Sequence, residues 1–276
     1  MCANVHPGAA DLDTFTSRAG NIFQLLAESP LVISTQSDGE NRLLATLPRQ
    51  SRRRLLAGCE QVELRSAEVI CESGERLRHG YFPTSGSISL ITTLGDGSRL
   101  EVGSVGHEGM LGSSLILGID VSAQRAVVQR SGTAWRLGAA ALQLQLRENT
   151  ELRRLLNCYV YALMGQLAQT TACSHYHQVR ARLARWLLMT RDQARGNQFH
   201  VTQEFLAHML GVRRVGITNA ANSLREEGLI DYRRGAITIL DGRSLEQASC
   251  ACYRGGTDIY ERALAASRAW PRSRRS

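Results

Sequence analysis

The chain has 276 residues, 43% of them hydrophobic but only 5% aromatic, and a formal net charge of +8. That length and composition sustain one large domain or two medium ones with cores built mostly of Leu, Val and Ala. They exclude a chain that crosses a bilayer as an apolar helix, since no run of about 18 apolar residues occurs. They also exclude a disulfide framework, because the seven cysteines are odd in number and scattered.

The positive charge suits an anionic partner, nucleic acid first and an acidic membrane surface second. All 33 basic residues are arginine, so a compositional bias competes with a binding design. No basic region followed by an apolar stretch opens the chain, and the expected location is the reducing cytoplasm.

Residues 1–40 read as a poorly ordered leader with one short apolar patch, Ile22–Ala27. From Asn41, NRLLATLPRQSRRRLLAGCEQ holds helical patterns around Leu43-Leu44 and Leu55-Leu56, interrupted by Pro48. Residues 62–137 read as short strands ended by turn residues, and ISLITTL and RLEVGSV flank the hairpin signal Gly95-Asp96-Gly97-Ser98. Strands at this spacing predict a sandwich or a roll closed on itself. Residues 138–192 turn helical, and Leu152, Leu156, Tyr159 and Leu163 fall at spacings of 4, 3 and 4, a heptad-like seam. VRARLARWLLMTRDQ follows with Leu183, Trp186, Leu187 and Met189 on its apolar side. LIDYRRGAITIL, two β-rich stretches around Arg233-Arg234-Gly235-Ala236, outlines a wing, and the tail from Gly255 to WPRSRRS is expected to be disordered.

The most informative stretch is TQEFLAHMLGVRRVGITNAANSLREEGLI, Thr202–Ile230. Two short helical patterns meet at Gly211. A helix-turn-helix that reads DNA needs a small residue where its helices touch, a glycine with positive φ in the turn, and an apolar anchor in the second helix. Ala207, Gly211 and Ile217 meet those needs at relative positions 1, 5 and 11, with Leu210 and Leu224 filling the wedge. Arg213, Arg214, Gly216, Thr218, Asn219 and Asn222 then form a candidate DNA face. Arginine pairs bidentately with guanine, and asparagine serves adenine edges or phosphates. Arg233 and Arg234 on the wing suit phosphate. An ordinary hairpin with a wet polar side is the alternative, but Gly216 and two asparagines are poor helix formers to leave exposed.

The order of roll, long helix and winged helix-turn-helix resembles the Crp/Fnr superfamily of bacterial transcription regulators over about Asn41 to Leu240. NRLLATLP, YFPTSGSISL, the GDGS hairpin, VGHEGMLG, RLARWLL and the Thr202–Ile230 stretch carry the resemblance. It implies an α+β fold with a cyclic-nucleotide-binding-like β-roll at 41–150, a dimerisation helix at 151–176 and a winged helix-turn-helix at 177–245, followed by a C-terminal extension at 246–276. It further implies a homodimer on double-stranded DNA, with recognition helices one turn (~34 Å) apart, and recruitment or obstruction of RNA polymerase.

Departures from the family pattern modify these expectations. Where the family has Ser-Arg-Glu after the turn, this chain has Arg213-Arg214-Val215, and a further reading arginine is Asn219. Base contacts are therefore expected on a different operator. The family holds a cyclic nucleotide with a Gly-Glu pair and an Arg-Ser or Arg-Ala pair. Here Gly106-His107-Glu108-Gly109 and Arg125-Ala126 stand in their place with altered spacing. Glu108, Arg125 and Ala126 are thus the candidate effector pocket. The expectation is a scaffold without a cofactor, a cyclic-nucleotide-responsive module being the alternative.

Cys173-Ser174-His175-Tyr176-His177 and Cys250-x-Cys252 lack the paired spacing of zinc sites, so no metal is expected. Cys59, Cys71 and Cys158 remain candidates for thiol sensing, although buried cysteine usually acts as a small hydrophobe. No P-loop, GxSxG or HExxH occurs, so no enzyme is expected.

Overall fold

A computed structural model describes residues 39–97, 99–194, 196–233 and 235–269. The expected leader up to residue 38, Ser98 of the hairpin, Arg234 of the wing and the WPRSRRS end therefore lie outside the described residues.

Two short helices, α1 (Arg42–Ala45) and α2 (Arg49–Ala57), open the described chain. Asn41 caps α1, accepting from the Leu44 N–H at 3.0 Å, while its amide donates to the Pro83 and Gly109 carbonyls at 2.8 and 2.9 Å. This buried side chain thus ties the helix start to the roll. Pro48 ends the first pattern and stands as the cap of α2, where its missing N–H costs nothing.

The roll follows with β1 (Glu60–Leu64), β2 (Val69–Cys71), β3 (His79–Pro83), β4 (Ser87–Thr93), β5 (Arg99–Val105), the short α3 (Ser113–Ile116), β6 (Arg125–Arg130) and β7 (Gly132–Gly138). They form two antiparallel sheets, ordered β1-β7-β3 and β2-β6-β4-β5. β4 and β5 pair from Ile88↔Val105 to Thr93↔Arg99, so the glycine-rich connection is a hairpin as its sequence predicts. Phe82, Ile88, Val128, Leu137 and Leu142 are among the side chains that fill the core.

After α4 (Ala139–Glu148) comes the long helix α5 (Thr150–Tyr176), capped by Asn149 on the Leu152 N–H. Its 27 residues span about 40 Å. Leu152, Leu156 and Tyr159 are 0, 0 and 3% exposed and join the roll's core, with Leu163 packed against it. The 4-3-4 seam is therefore an intrachain face and cannot pair two copies. The opposite side of the helix is open: Tyr161 and Met164 are 69 and 65% exposed. Asn157, Tyr161, Met164, Ala168, Thr171 and His175 mark a second 4-3-4-3-4 series on this side.

The head comprises α6 (Val179–Ala194), β8 (Gln198–His200), α7 (Gln203–Leu210), α8 (Arg214–Glu226), β9 (Ile230–Arg233), β10 (Ala236–Ile239) and α9 (Gly242–Ala248). The wing is a three-stranded sheet, β8-β10-β9, one strand more than the hairpin read from sequence. Leu187, Leu206, Ile217, Leu224, Ile230 and Ile237 lie in a core separate from that of the roll.

The tail expected to be disordered is largely helix: α10 (Cys252–Ala269) lies along α5. Tyr260, Ala263 and Leu264 enter the roll's core from this helix. Gly165 permits the approach, since a Cβ there would stand 2.9 Å from the Ile259 Cγ2. Arg42 lies 5.7 Å from the centre of the Tyr260 ring and also pairs with Glu261.

Candidate nucleic-acid interface

The turn between α7 and α8 is built on backbone chemistry. Gly211 takes φ 60° and ψ 44°, the left-handed conformation that costs a glycine least. Its N–H donates to the His208 carbonyl at 3.2 Å and the Val212 N–H to the Ala207 carbonyl at 2.9 Å, the paired bonds of a Schellman stop. At the other end of α7, the Thr202 hydroxyl accepts from the Phe205 N–H at 3.1 Å. Ala207, Leu210, Ile217 and Leu224 are all buried where the two helices cross, as their spacing predicts.

At about 100° per residue, one face of α8 carries Arg214, Val215, Thr218, Asn219, Asn222 and Arg225. Arg214, Val215, Asn219 and Arg225 are exposed and Asn222 is half-buried. Arg213 is also exposed and precedes the helix as its cap residue without a side-chain capping bond. Val215 and Arg225 belong to this face although sequence reasoning did not select them. Helical phase alone would have found both.

Two selected residues sit differently. Gly216 turns to the flank, where a Cβ would meet only Val179 Cγ2 at 3.9 Å, so it does not front the open face. The Thr218 hydroxyl donates to Gln203 Oε1 at 2.8 Å and is occupied in joining the two helices. On the wing, Arg233 is strongly exposed, with its Nε 3.1 Å from the Asp231 carboxylate. Arg180 braces the far end of α8 through the Ser223 hydroxyl at 3.0 Å and through Glu227.

The candidate effector residues have separate partners. Arg125 lies at the start of β6 with its Nε 3.3 Å from Glu72, and Ala126 is buried in the sheet. The Glu108 Oε1 accepts from the Gly106 N–H at 2.9 Å and from Gln193 of α6 at 3.4 Å, with His107 3.8 Å from Oε2. Burial pushes the Glu108 carboxyl above its ordinary pKa. The surrounding loop is a clamp. The Tyr159 hydroxyl accepts from the Met110 N–H at 3.0 Å and donates to its carbonyl at 3.2 Å, and the Tyr260 hydroxyl donates to the Glu108 carbonyl. A cleft of about 390 Å³ opens instead beside β2 and β3, bordered by Ile70, Glu75, Arg76, Arg78, His79 and Tyr81.

The roll also touches the head. α7 packs on β5, Ser104 donates to Gln193 Oε1 at 3.1 Å, and Arg130 donates to the Gln193 carbonyl at 2.9 Å. Glu101 of β5 accepts from Ser89 at 2.6 Å and from the Trp186 indole of α6, and burial pushes its carboxyl up to about 7. The cysteine-bearing segments dismissed on spacing grounds meet at the end of α5, because α9 and α10 return the chain to that point.

Among the described residues, no helix is long and apolar enough to cross a membrane. A cyclic nucleotide-binding domain model matches residues 61–149 and a Crp-like helix-turn-helix domain model matches residues 181–248. No curated protein matches the chain. Among solved structures it is similar to the c-di-GMP responsive global regulator CLP of Xanthomonas campestris, at 17% identity over 70% of this chain and 100% of that one, with a TM-score of 0.59. FixK2 of Bradyrhizobium japonicum shares 14% identity over 70% and 98%, also at 0.59. A CRP-family transcriptional regulator of Thermus thermophilus shares 21% over 68% and 96%, at 0.54. At these identities the likeness establishes the fold, while the two domain models, matched in this order on one chain, establish the lineage. The protein belongs to the Crp/Fnr superfamily and is a DNA-binding transcription regulator.

Proposed function

We infer that the protein reads a specific operator as a homodimer, with α8 in the major groove and the wing on the adjacent backbone. The observation that carries this reading is the outward face of α8, where Arg214, Val215, Asn219 and Asn222 stand clear of the head's own core. Arg214 suits guanine, the asparagines suit adenine, and the exposed Val215 side chain suits a thymine methyl. Arg213 and Arg233 suit phosphates, which position the head without reading sequence. Pairing of two copies is assigned to the open side of α5 through Tyr161 and Met164. Replacing Arg214 by Ala should weaken operator binding by about 1–3 kcal/mol and relax preference at one base pair per half-site. Arg233→Ala should instead weaken all sequences alike and flatten the salt dependence. Equal loss on operator and random DNA for Arg214→Ala would remove its base-reading role.

The effector side of the reading is that cyclic nucleotides do not occupy Glu108 and Arg125. This is supported by the separate partners of the two side chains, Gly106 and Gln193 for one and Glu72 for the other. Calorimetric titration with cyclic AMP and cyclic GMP should show no heat. Micromolar binding abolished by Arg125→Ala would reverse that conclusion.

A further inference from the structure

The end of α5, its cap residue and the junction between α9 and α10 bring together three thiols and an imidazole. Cys173 is buried in the last turn of α5, and His177 follows the helix as its cap, its N–H donating to the Cys173 carbonyl at 3.1 Å. Cys250 comes just after α9 and Cys252 opens α10, both buried. The Cys173 and Cys250 Sγ atoms lie 3.5 Å apart, as do Cys252 Sγ and His177 Nδ1, and all four atoms fall within 4.8 Å of one another. A tetrahedral site with zinc–sulfur bonds of about 2.3 Å has ligand-to-ligand edges of about 3.8 Å. The four atoms therefore need to draw in by about 1 Å at most.

The surroundings favour ligands over packing. The three cysteines form a cluster apart from both large cores, with Ala181 the partly buried apolar neighbour. Gln169 Nε2 lies 2.9 Å from the Cys252 Sγ. Three thiolates on a divalent ion leave one net negative charge, which Arg182 and Arg185 of α6 are placed to offset. A disulfide between Cys173 and Cys250 would leave Cys252 and His177 without a role. An iron–sulfur cluster hangs its thiolates from separate irons and needs them farther apart.

We propose that Cys173, His177, Cys250 and Cys252 bind one zinc ion and pin the C-terminal extension to the end of the long helix. Four protein ligands close the coordination shell, which makes the site structural. Binding expels the thiol protons and involves no redox change. The site adjoins the short connection from α5 to α6, and Arg182 beside it donates to the Leu210 carbonyl at the helix-turn-helix stop. The ion thus fixes the joint on which the reading head is mounted.

The test uses the full chain purified under reducing conditions. Elemental mass spectrometry should find one zinc per chain, lost in the Cys250→Ser/Cys252→Ser variant and retained in Cys59→Ser. Cobalt(II) exchanged into the unmutated chain should give thiolate-to-metal charge transfer and the intense visible bands of a tetrahedral site, a readout that needs no variant to fold. Reduced protein that takes up neither zinc nor cobalt would overturn the proposal. So would iron with equivalent sulfide, or a reductant-sensitive Cys173–Cys250 peptide lighter by two hydrogens in the protein as isolated.

Discussion

The two faces of α5 make opposite predictions for the same kind of substitution. Leu156 is fully buried against the roll, so Leu156→Glu loses its packing, worth about 2–5 kcal/mol for a leucine truncation. It also places a carboxylate where no partner awaits it. The sum approaches the ~5–15 kcal/mol that holds a typical domain together, and the roll should melt or fail to accumulate. Met164 is 65% exposed, so Met164→Glu should change the fold of one copy by no more than about 0.5 kcal/mol. Across a two-fold axis it sets carboxylates against each other in an apolar seam, and combined with Tyr161→Glu it should yield folded monomers. Sedimentation velocity with far-ultraviolet circular dichroism separates the outcomes. A Tyr161→Glu/Met164→Glu protein that remains dimeric, or a Leu156→Glu protein that is folded and monomeric, would refute this assignment of the faces.

The clamp on the long helix can be tested with Tyr159→Phe, which keeps the ring but leaves the Met110 N–H and carbonyl without their partner hydroxyl. It should cost about 2–4 kcal/mol by chemical denaturation, and a loss under about 0.5 kcal/mol would show that the hydroxyl contributes little. Glu101 should make stability depend on pH. Its folded carboxyl titrates at about 7 against an ordinary 4.5, so the folded protein holds the extra proton between those values. Stability should fall as pH rises from about 4.5 through 7, by up to about 3 kcal/mol. Glu101→Gln should flatten that part of a melting-temperature profile, and an unchanged slope would place the titrating group elsewhere.

The reading head was legible because its constraints are local: a glycine stop, a small contact residue and an apolar anchor within a short stretch allow few other folds. The face of α8 was legible only in part. Sequence reasoning chose polar residues, whereas helical phase places Gly216 on the flank and adds Val215 and Arg225. The long helix misled for a related reason. Both of its sides carry heptad-like spacing, and periodicity alone cannot say which side the roll covers. The C-terminal helix was hidden by Gly255-Gly256 and the arginines around them, although Ile259, Tyr260, Ala263 and Leu264 follow helical spacing. The Cys–His cluster was set aside because spacing within each half was judged alone, whereas the halves lie 77 residues apart in sequence and meet only through the return of α9 and α10.

Selection of bound duplexes from a random-sequence pool, carried out at stated salt with the unmodified chain, bears most directly on base reading by α8. It should converge on a two-fold symmetric motif with half-sites one helical turn (~34 Å) apart. Repeating it with Arg214→Ala should blur one position in each half and leave the symmetry intact. A pool that stays featureless, or a motif indifferent to Arg214 and Asn219 alike, would contradict sequence-specific recognition through this helix.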